Sequence, residues 1–175
     1  MKQQIDAFAY AGHICKAMKQ GILLTTKSGD RVNTMTIGWG KIGIEWNRPV
    51  FIAYVRETRY TKQLLEEGGA FTVNIPYGDF DPKILSYCGT KSGRDTDKIL
   101  DLGLTMVESD VISVPGIREL PLTLECKVIY KQQQDLSCIP QSIIDRFYPV
   151  IDGSGFRDYH IAYYGEIVNA YLIDK

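Results

Sequence analysis

The chain has 175 residues, of which 20 are basic and 21 acidic, so its formal net charge is −1. This balance argues against a nucleic-acid partner, and no apolar run reaches the roughly 20 residues that a membrane-spanning helix needs. The N-terminus lacks the apolar stretch of a signal peptide. We therefore expect one cytoplasmic domain over residues 1–175, with no nucleic-acid or membrane partner.

The predicted elements are mostly β-strands. Runs rich in β-branched and aromatic residues, separated by turn residues, predict six strands, over residues 21–26, 32–44, 50–55, 70–75, 122–130 and 160–172. Short helices are predicted over residues 60–67, 81–87 and 95–102. Six strands with only short helices between them indicate a mainly β protein, a closed antiparallel barrel with short helices over its openings.

Two kinds of site are disfavoured by residue spacing. The four cysteines form no C-x-x-C pair and have no ligand-like spacing with the two histidines, so we expect reduced thiols and no metal site. The segment from Gly38 to Gly43 fits G-x-G-x-x-G, but Pro49 rules out the helix that a dinucleotide fingerprint needs. Gly89 to Gly93 imitates a phosphate loop but lacks its Gly-Lys-Ser/Thr ending.

The connection between the third strand and the first predicted helix has the composition of an anion site. Arg56, Thr58 and Arg59 lie there, just before the helix start at Tyr60. Guanidinium groups and the free backbone N–H groups of a helix start all favour a phosphate. In the alternative reading, Thr58 caps the helix and the arginines are merely exposed. The additional hydroxyl of Thr61 favours the phosphate.

Several separate segments together resemble the flavin reductase-like family, and within it the flavoredoxin-like branch. They are Asn33-Thr-Met-Thr-Ile-Gly-Trp-Gly40, Arg-x-Thr-Arg-Tyr-Thr61, Phe71-Thr-Val-Asn-Ile-Pro76, Gly89-Thr-Lys-Ser-Gly-Arg-Asp-Thr-Asp-Lys98, and His160 with Gly165-Glu-Ile-Val168. The resemblance implies a six-stranded antiparallel split β-barrel of the Greek-key, FMN-binding type with a few short flanking helices. It does not extend to the N-terminal residues or to residues 131–158.

The resemblance also implies a cofactor site. The phosphate would be held by Arg56, Thr58, Arg59 and Thr61, and the flavin would be lined by Thr34, Met35 and Thr36, largely through backbone groups. Ser92, Gly93 and Lys98 would close the site, and Asn33, Val55 and Tyr60 belong to the same segments. In the alternative reading, Ser92 and Gly93 form a simple turn and Lys98 is a solvated surface residue. His160 is a candidate for substrate contact rather than for proton transfer.

The implied function is hydride transfer from NAD(P)H to FMN, with the electrons passing to an unidentified small-molecule or protein acceptor. One alternative is an electron-transfer flavoprotein reduced by a protein partner, and another is a binding module without flavin. The family also implies a homodimer, and we expect Tyr163, Tyr171 and Ile173 to form its exposed apolar face. Residues 131–158 read as an excursion from the barrel wall that controls access to the flavin.

Overall fold

A computed structural model describes residues 1–174. Its strands are β1 Lys2–Gln4, β2 Ile22–Ser28, β3 Arg31–Ile37, β4 Gly40–Glu45, β5 Arg48–Arg56, β6 Ala70–Ile75, β7 Met106–Val107, β8 Gly116–Ile117, β9 Leu122–Gln133 and β10 His160–Ile173. Its α-helices are α1 Ala11–Met18, α2 Tyr60–Gly68, α3 Lys83–Thr90, α4 Lys98–Leu102 and α5 Gln141–Phe147. Short 3₁₀ turns lie at Ala7–Tyr10 and Leu136–Cys138.

The strands form one large antiparallel sheet in the order β3-β2-β6-β9-β10-β5-β4, with β1 added on β10. β7 and β8 pair separately. The predicted mainly β split-barrel fold is confirmed, with two differences. The large sheet has eight strands rather than six, and it is not closed, because β3 and β4 lie at opposite ends of the order and do not pair.

Both differences have local causes. The strand expected over residues 32–44 divides at Gly38 and Trp39 into β3 and β4, which the chain uses to cross from one end of the sheet to the other. Gly40 allows this crossing, because a Cβ atom there would lie 2.9 Å from the Sδ atom of Met18 and from the Cζ atom of Phe51. The eighth strand, β1, is a short N-terminal segment with no alternating pattern in the sequence.

The sheet has an apolar interior and a partly polar outer face. Alternate residues such as Leu24, Phe51 and Phe71 fill the interior and are fully buried. On the outer face of β2 and β6, the Thr25 hydroxyl donates to Asn74 Oδ1 at 2.9 Å. These polar side chains are also buried, so all six positions of β6 are inaccessible to solvent.

Helix α2 begins and ends where the sequence predicted. Leu64 and Leu65 are buried beneath it. Gly69 follows in the left-handed region at φ 66°, and its N–H donates to the Leu65 carbonyl at 2.9 Å. Glycine adopts this conformation without the penalty that a Cβ atom brings, so it ends the helix cleanly. The start of α2 is thereby fixed at the end of β5, beside Arg59.

The prediction that Tyr163, Tyr171 and Ile173 form an exposed apolar face is wrong. Tyr163 and Tyr171 are at most 1% exposed, and Ile173 is 5% exposed. Tyr163 packs in the interior core, where its hydroxyl donates to Glu66 at 3.0 Å. Tyr171 is covered elsewhere, beside Gly116 and Thr123. Two exposed aromatic residues instead pack with a half-buried third in a group that we call the aromatic patch: Trp46, Tyr130 and Tyr164.

Within residues 1–174, no helix is both long and apolar enough to cross a membrane. All four cysteines are free, with Cys88 and Cys126 buried and Cys15 and Cys138 exposed. The described residues also contain no group of three or more histidine, cysteine or acidic side chains that could hold a metal ion.

Candidate functional site

Two neighbouring clefts lie along β3 at the open side of the barrel. The first, which we call the α2 cleft, has a volume of about 140 Å³ and lies between the start of α2, the segment 88–94 and Lys98. The second, the Trp39 cleft, has a volume of about 200 Å³ and reaches from β3 to Tyr54 and His160. Met35, Thr36 and Arg59 line both clefts, so the two form one continuous site.

The clefts follow a sheet edge. β3 pairs only with β2 and is the end strand of the sheet. An end strand leaves part of its backbone N–H and C=O groups without a strand partner. Backbone groups around Met35 and Thr36 are therefore placed to recognise a polar edge of a ligand.

The start of α2 is an uncapped, positive helix end in the α2 cleft. Arg59 occupies the N-cap position, and no side chain caps the helix there. The first backbone N–H groups of a helix have no intrahelical acceptor and carry a partial positive charge. The reading of Thr58 as the helix cap is wrong, because its hydroxyl and its N–H both donate to the Asp158 carboxylate, at 2.8 and 3.0 Å.

Lys98 places a buried cationic side chain in the α2 cleft. Lys98 is 3% exposed. Among residues 1–174, its ammonium group forms one hydrogen bond, to the Cys88 carbonyl at 3.4 Å. No carboxylate forms an ion pair with it among residues 1–174. Burial lowers the pKa of Lys98, the Cys88 thiol opposes this, and the charge of Arg59 lowers it further. The reading of Lys98 as a solvated surface residue is therefore wrong.

Three residues fix the wall of the α2 cleft. The Asn33 side-chain amide donates to the Thr61 hydroxyl oxygen at 2.7 Å. A Cβ atom on Gly93 would lie 2.1 Å from Asn33 Oδ1 and 2.9 Å from Tyr60 Cδ1. Only glycine lets the segment 88–94 approach so closely. Since Thr61 accepts from Asn33, its own O–H remains able to donate.

Arg56 lies in the other cleft. It lines the Trp39 cleft but not the α2 cleft. Its guanidinium donates to two backbone carbonyls, that of Asp158 at 2.8 Å and that of Phe147 at 3.0 Å. The Arg59 guanidinium, by contrast, has no hydrogen bond or ion pair within residues 1–174. The two arginines that the sequence places together thus face different surroundings.

The remaining predicted side chains divide into two groups. Ser92 lines the α2 cleft, where its hydroxyl oxygen accepts from the Arg94 N–H at 3.2 Å. Thr34 and Val55 are fully buried and line neither cleft. The Thr34 hydroxyl joins the outer-face polar network through Thr25 at 3.1 Å. For Thr34 and Val55, only backbone groups are left to contact a ligand.

His160 is buried in the wall of the Trp39 cleft. Its Nδ1 atom lies 2.8 Å from the Tyr148 hydroxyl, which itself donates to Gln134 Oε1 at 2.7 Å. Because the tyrosine proton is used there, Nδ1–H is the donor of the first bond. Burial and the neighbouring charge of Arg56 lower the pKa of His160 to about 4. His160 is therefore neutral at physiological pH.

Trp39 and Asp158 are site residues that the sequence reasoning did not identify. Trp39 is 40% exposed, and its ring lies 4.7 Å from that of His160. Its position between Gly38 and Gly40 was an available signal, because bulky residues flanked by glycines often lie at a bend. Nothing in the sequence links Asp158 to Thr58.

The chain matches the family model described as flavin reductase like domain over residues 16–175. An uncharacterised protein of Archaeoglobus fulgidus is 32% identical over 100 residues, which cover 57% of this chain and 55% of that protein. The alignments with the curated relatives all cover less than two thirds of each relative's own length.

Two solved flavoredoxin structures are similar to the whole barrel. Flavoredoxin of Desulfovibrio vulgaris (Miyazaki F) has a TM-score of 0.66 and 26% identity, and the match covers 88% of this chain and 69% of that one. Flavoredoxin from Methanosarcina acetivorans has a TM-score of 0.64 and 26% identity, with 88% and 68% covered.

Proposed function

The chain belongs to the flavin reductase-like family, and on that premise we propose that it binds FMN across the two clefts, accepts hydride from NAD(P)H and passes the electrons to another acceptor. The α2 cleft takes the phosphate and the Trp39 cleft takes the ring system. Two features support the proposal: cationic and hydroxyl groups line the α2 cleft, and aromatic side chains line the Trp39 cleft.

The observation that carries the proposal is the buried ammonium group of Lys98. Burying a charge without a partner of opposite sign is costly, so such groups are normally paired. A phosphate in the α2 cleft would supply the missing anion to Lys98. It would also face the exposed guanidinium of Arg59 and the uncapped start of α2. The Thr61 and Ser92 hydroxyls complete a donor set that suits a phosphate.

The Trp39 cleft combines apolar surface for a flat ring system with polar groups that can contact its edges. Met35 and Trp39 offer apolar surface, and β3 offers backbone groups along the edge. His160 donates through Nδ1 to Tyr148, so its Nε2 atom can accept a hydrogen bond. When bound, FMN supplies the hydride-accepting chemistry, and the protein's part is to orient the ring system and to limit access to it.

A binding and reduction experiment tests the function. The purified protein is titrated with FMN and, as a control, with riboflavin, which lacks the phosphate. We expect much tighter binding of FMN and a yellow complex. NADH and NADPH oxidation is then followed under anaerobic conditions. No flavin binding would contradict the proposed function, and flavin binding without NAD(P)H oxidation would contradict the reductase activity alone.

A second function is favoured by the two flavoredoxin structures at 26% identity. In this alternative, the protein is an electron-transfer flavoprotein that a protein partner reduces, and NAD(P)H has no productive site. The same anaerobic assay separates the two functions. A flavin that NADH and NADPH leave oxidised, but that a reduced ferredoxin reduces, would establish the second.

We also propose a symmetric homodimer. The aromatic patch provides the apolar surface, since Trp46 is 58% exposed and Tyr130 is 42% exposed. Exposed apolar patches of this kind commonly mark interaction sites. Its rings pack on one another, with Trp46 and Tyr130 centroids 5.9 Å apart and Tyr130 and Tyr164 centroids 5.0 Å apart.

A further inference from the structure

Residues 134–159, which we call the crossover segment, connect β9 to β10 and contain α5. The end of α5 packs against Trp39, whereas residues 149–156 of the segment are exposed to solvent. Its Phe147 ring makes an edge contact with Trp39, with centroids 5.2 Å apart. Its Tyr148 is 2% exposed and bonds to His160. The segment thus supports Trp39 and His160, two residues that line the proposed flavin site.

Arg56 fastens the segment to β5. One arm of the guanidinium donates to the Phe147 carbonyl at the end of α5, and another donates to the Asp158 carbonyl at the end of the segment. The guanidinium also lies 5.5 Å from the centre of the Tyr148 ring. One side chain of the barrel therefore ties together both ends of the stretch that follows α5.

Asp158 provides a second attachment. Its carboxylate accepts the hydroxyl of Thr58 at 2.8 Å and the N–H of Thr58 at 3.0 Å. Asp158 is 6% exposed. The buried carboxylate thus accepts hydrogen bonds through both oxygen atoms from Thr58, which lies in the connection between β5 and α2. This attachment joins the segment to the same connection that carries Arg59.

From these contacts we infer that Arg56 and Asp158 are positioning residues, which hold the crossover segment beside Trp39 so that the segment limits the size of the electron donor or acceptor that reaches the flavin. The inference rests on the proposed function, because it needs the flavin in the Trp39 cleft. It assigns Arg56 to the segment and leaves the phosphate to Arg59 and Lys98.

Fluorescence of Trp39 reports the position of the segment without any turnover. The chain has two tryptophans, so in a Trp46→Phe background the emission comes from Trp39 alone. Arg56→Gln removes two hydrogen bonds from a charged donor. The population of molecules in which the crossover segment has moved away from Trp39 should therefore increase about tenfold or more. Acrylamide quenching should then rise by about twofold at most, because Trp39 is already 40% exposed.

Two further variants make the comparison specific. Arg48→Gln is the matched control, since Arg48 lies on the same strand but forms an exposed ion pair with Glu166 at 2.6 Å. It should leave the quenching unchanged. Arg56→Lys keeps the charge but replaces the two-armed guanidinium with a single ammonium group, so it should give an intermediate effect. It also serves if Arg56→Gln folds poorly.

The size limit is tested on the FMN-loaded protein after photoreduction, by following flavin reoxidation with ferricyanide and with cytochrome c. At saturating FMN, we expect Arg56→Gln to raise the cytochrome c rate relative to the ferricyanide rate about threefold or more. Unchanged quenching or an unchanged rate ratio would overturn the inference. Loss of FMN affinity with riboflavin binding preserved would make Arg56 a phosphate ligand and overturn it too. Failure of the wild-type protein to bind FMN would overturn the proposed function as well.

Discussion

Replacing Lys98 with methionine should weaken FMN binding and stabilise the apoprotein. Lys98 is 3% exposed, with one hydrogen bond at 3.4 Å and no carboxylate partner. A hydrogen bond to a charged group contributes about 1.5–3 kcal/mol, so losing it should weaken FMN by roughly 10- to 150-fold. Riboflavin should bind equally well to the variant and to the wild type, because it has no phosphate for Lys98 to contact.

The effect of Lys98→Met on the apoprotein has the opposite sign. Exchanging a buried ion for an apolar side chain of similar length should raise the free energy of unfolding by about 1–4 kcal/mol. Because burial lowers the pKa of Lys98 from 10.5, the folded state disfavours the proton relative to the unfolded state. Apoprotein stability should therefore rise between that lowered pKa and 10.5 in the wild type, and this rise should be absent in the variant.

Calorimetric titration measures both flavins, and urea denaturation of the apoprotein measures stability. Lys83→Met is the control, since Lys83 is an exposed lysine at the start of α3, outside both clefts. Unchanged FMN affinity in Lys98→Met would refute the assignment of the phosphate to the α2 cleft. An equal loss for riboflavin would refute it as well, because the variant would then have damaged the site as a whole.

Three other outcomes are expected. The His160 pKa of about 4 lies below 6.5, so stability should fall on acidification from pH 6.5 to 4, by on the order of 3 kcal/mol, and denaturation curves of His160→Gln should lack this loss. Gly93→Ala should be destabilised by about 1–3 kcal/mol in thermal unfolding, because its Cβ atom would displace Asn33, whereas Gly153→Ala, which meets no atom within 4 Å, should not be. Light scattering of the FMN-loaded protein should give a dimer that Trp46→Glu dissociates; a wild-type monomer at micromolar concentration would exclude the dimer.

The parts of the fold that the sequence predicted are those set by local patterns. The strands over residues 50–55 and 70–75 were recognised from β-branched and aromatic residues, and α2 from its buried leucines and its terminal glycine pair. The helix α1 was not predicted. Its eight residues include Gly12 and have no side-chain cap, so the usual helix start signals are absent.

The site was predictable at the level of segments rather than of side-chain direction. The motifs grouped Asn33, Arg59 and Lys98, and in the structure these residues line one cleft. They grouped Arg56 with Arg59 as a phosphate ligand, whereas in the structure Arg56 bonds to Phe147 and Asp158, about a hundred positions away. Such contacts depend on how the crossover segment folds back, and no local pattern encodes that. Their roles toward FMN and the extent of the domain stay predictions.

The opening of the barrel has a consequence for how the protein unfolds. The Trp39 cleft takes one wall from β3, at one end of the sheet, and the other from β5 and β10, which lie near the opposite end. Among residues 1–174, β3 does not pair directly with β5 or β10, and the chain crosses from one end of the sheet to the other through Gly38 and Trp39. A molecule that fills the cleft therefore contacts both walls, and β3 can separate from β5 and β10 only after that molecule is released. Occupancy should lengthen the lifetime of the folded state, in addition to raising its equilibrium stability.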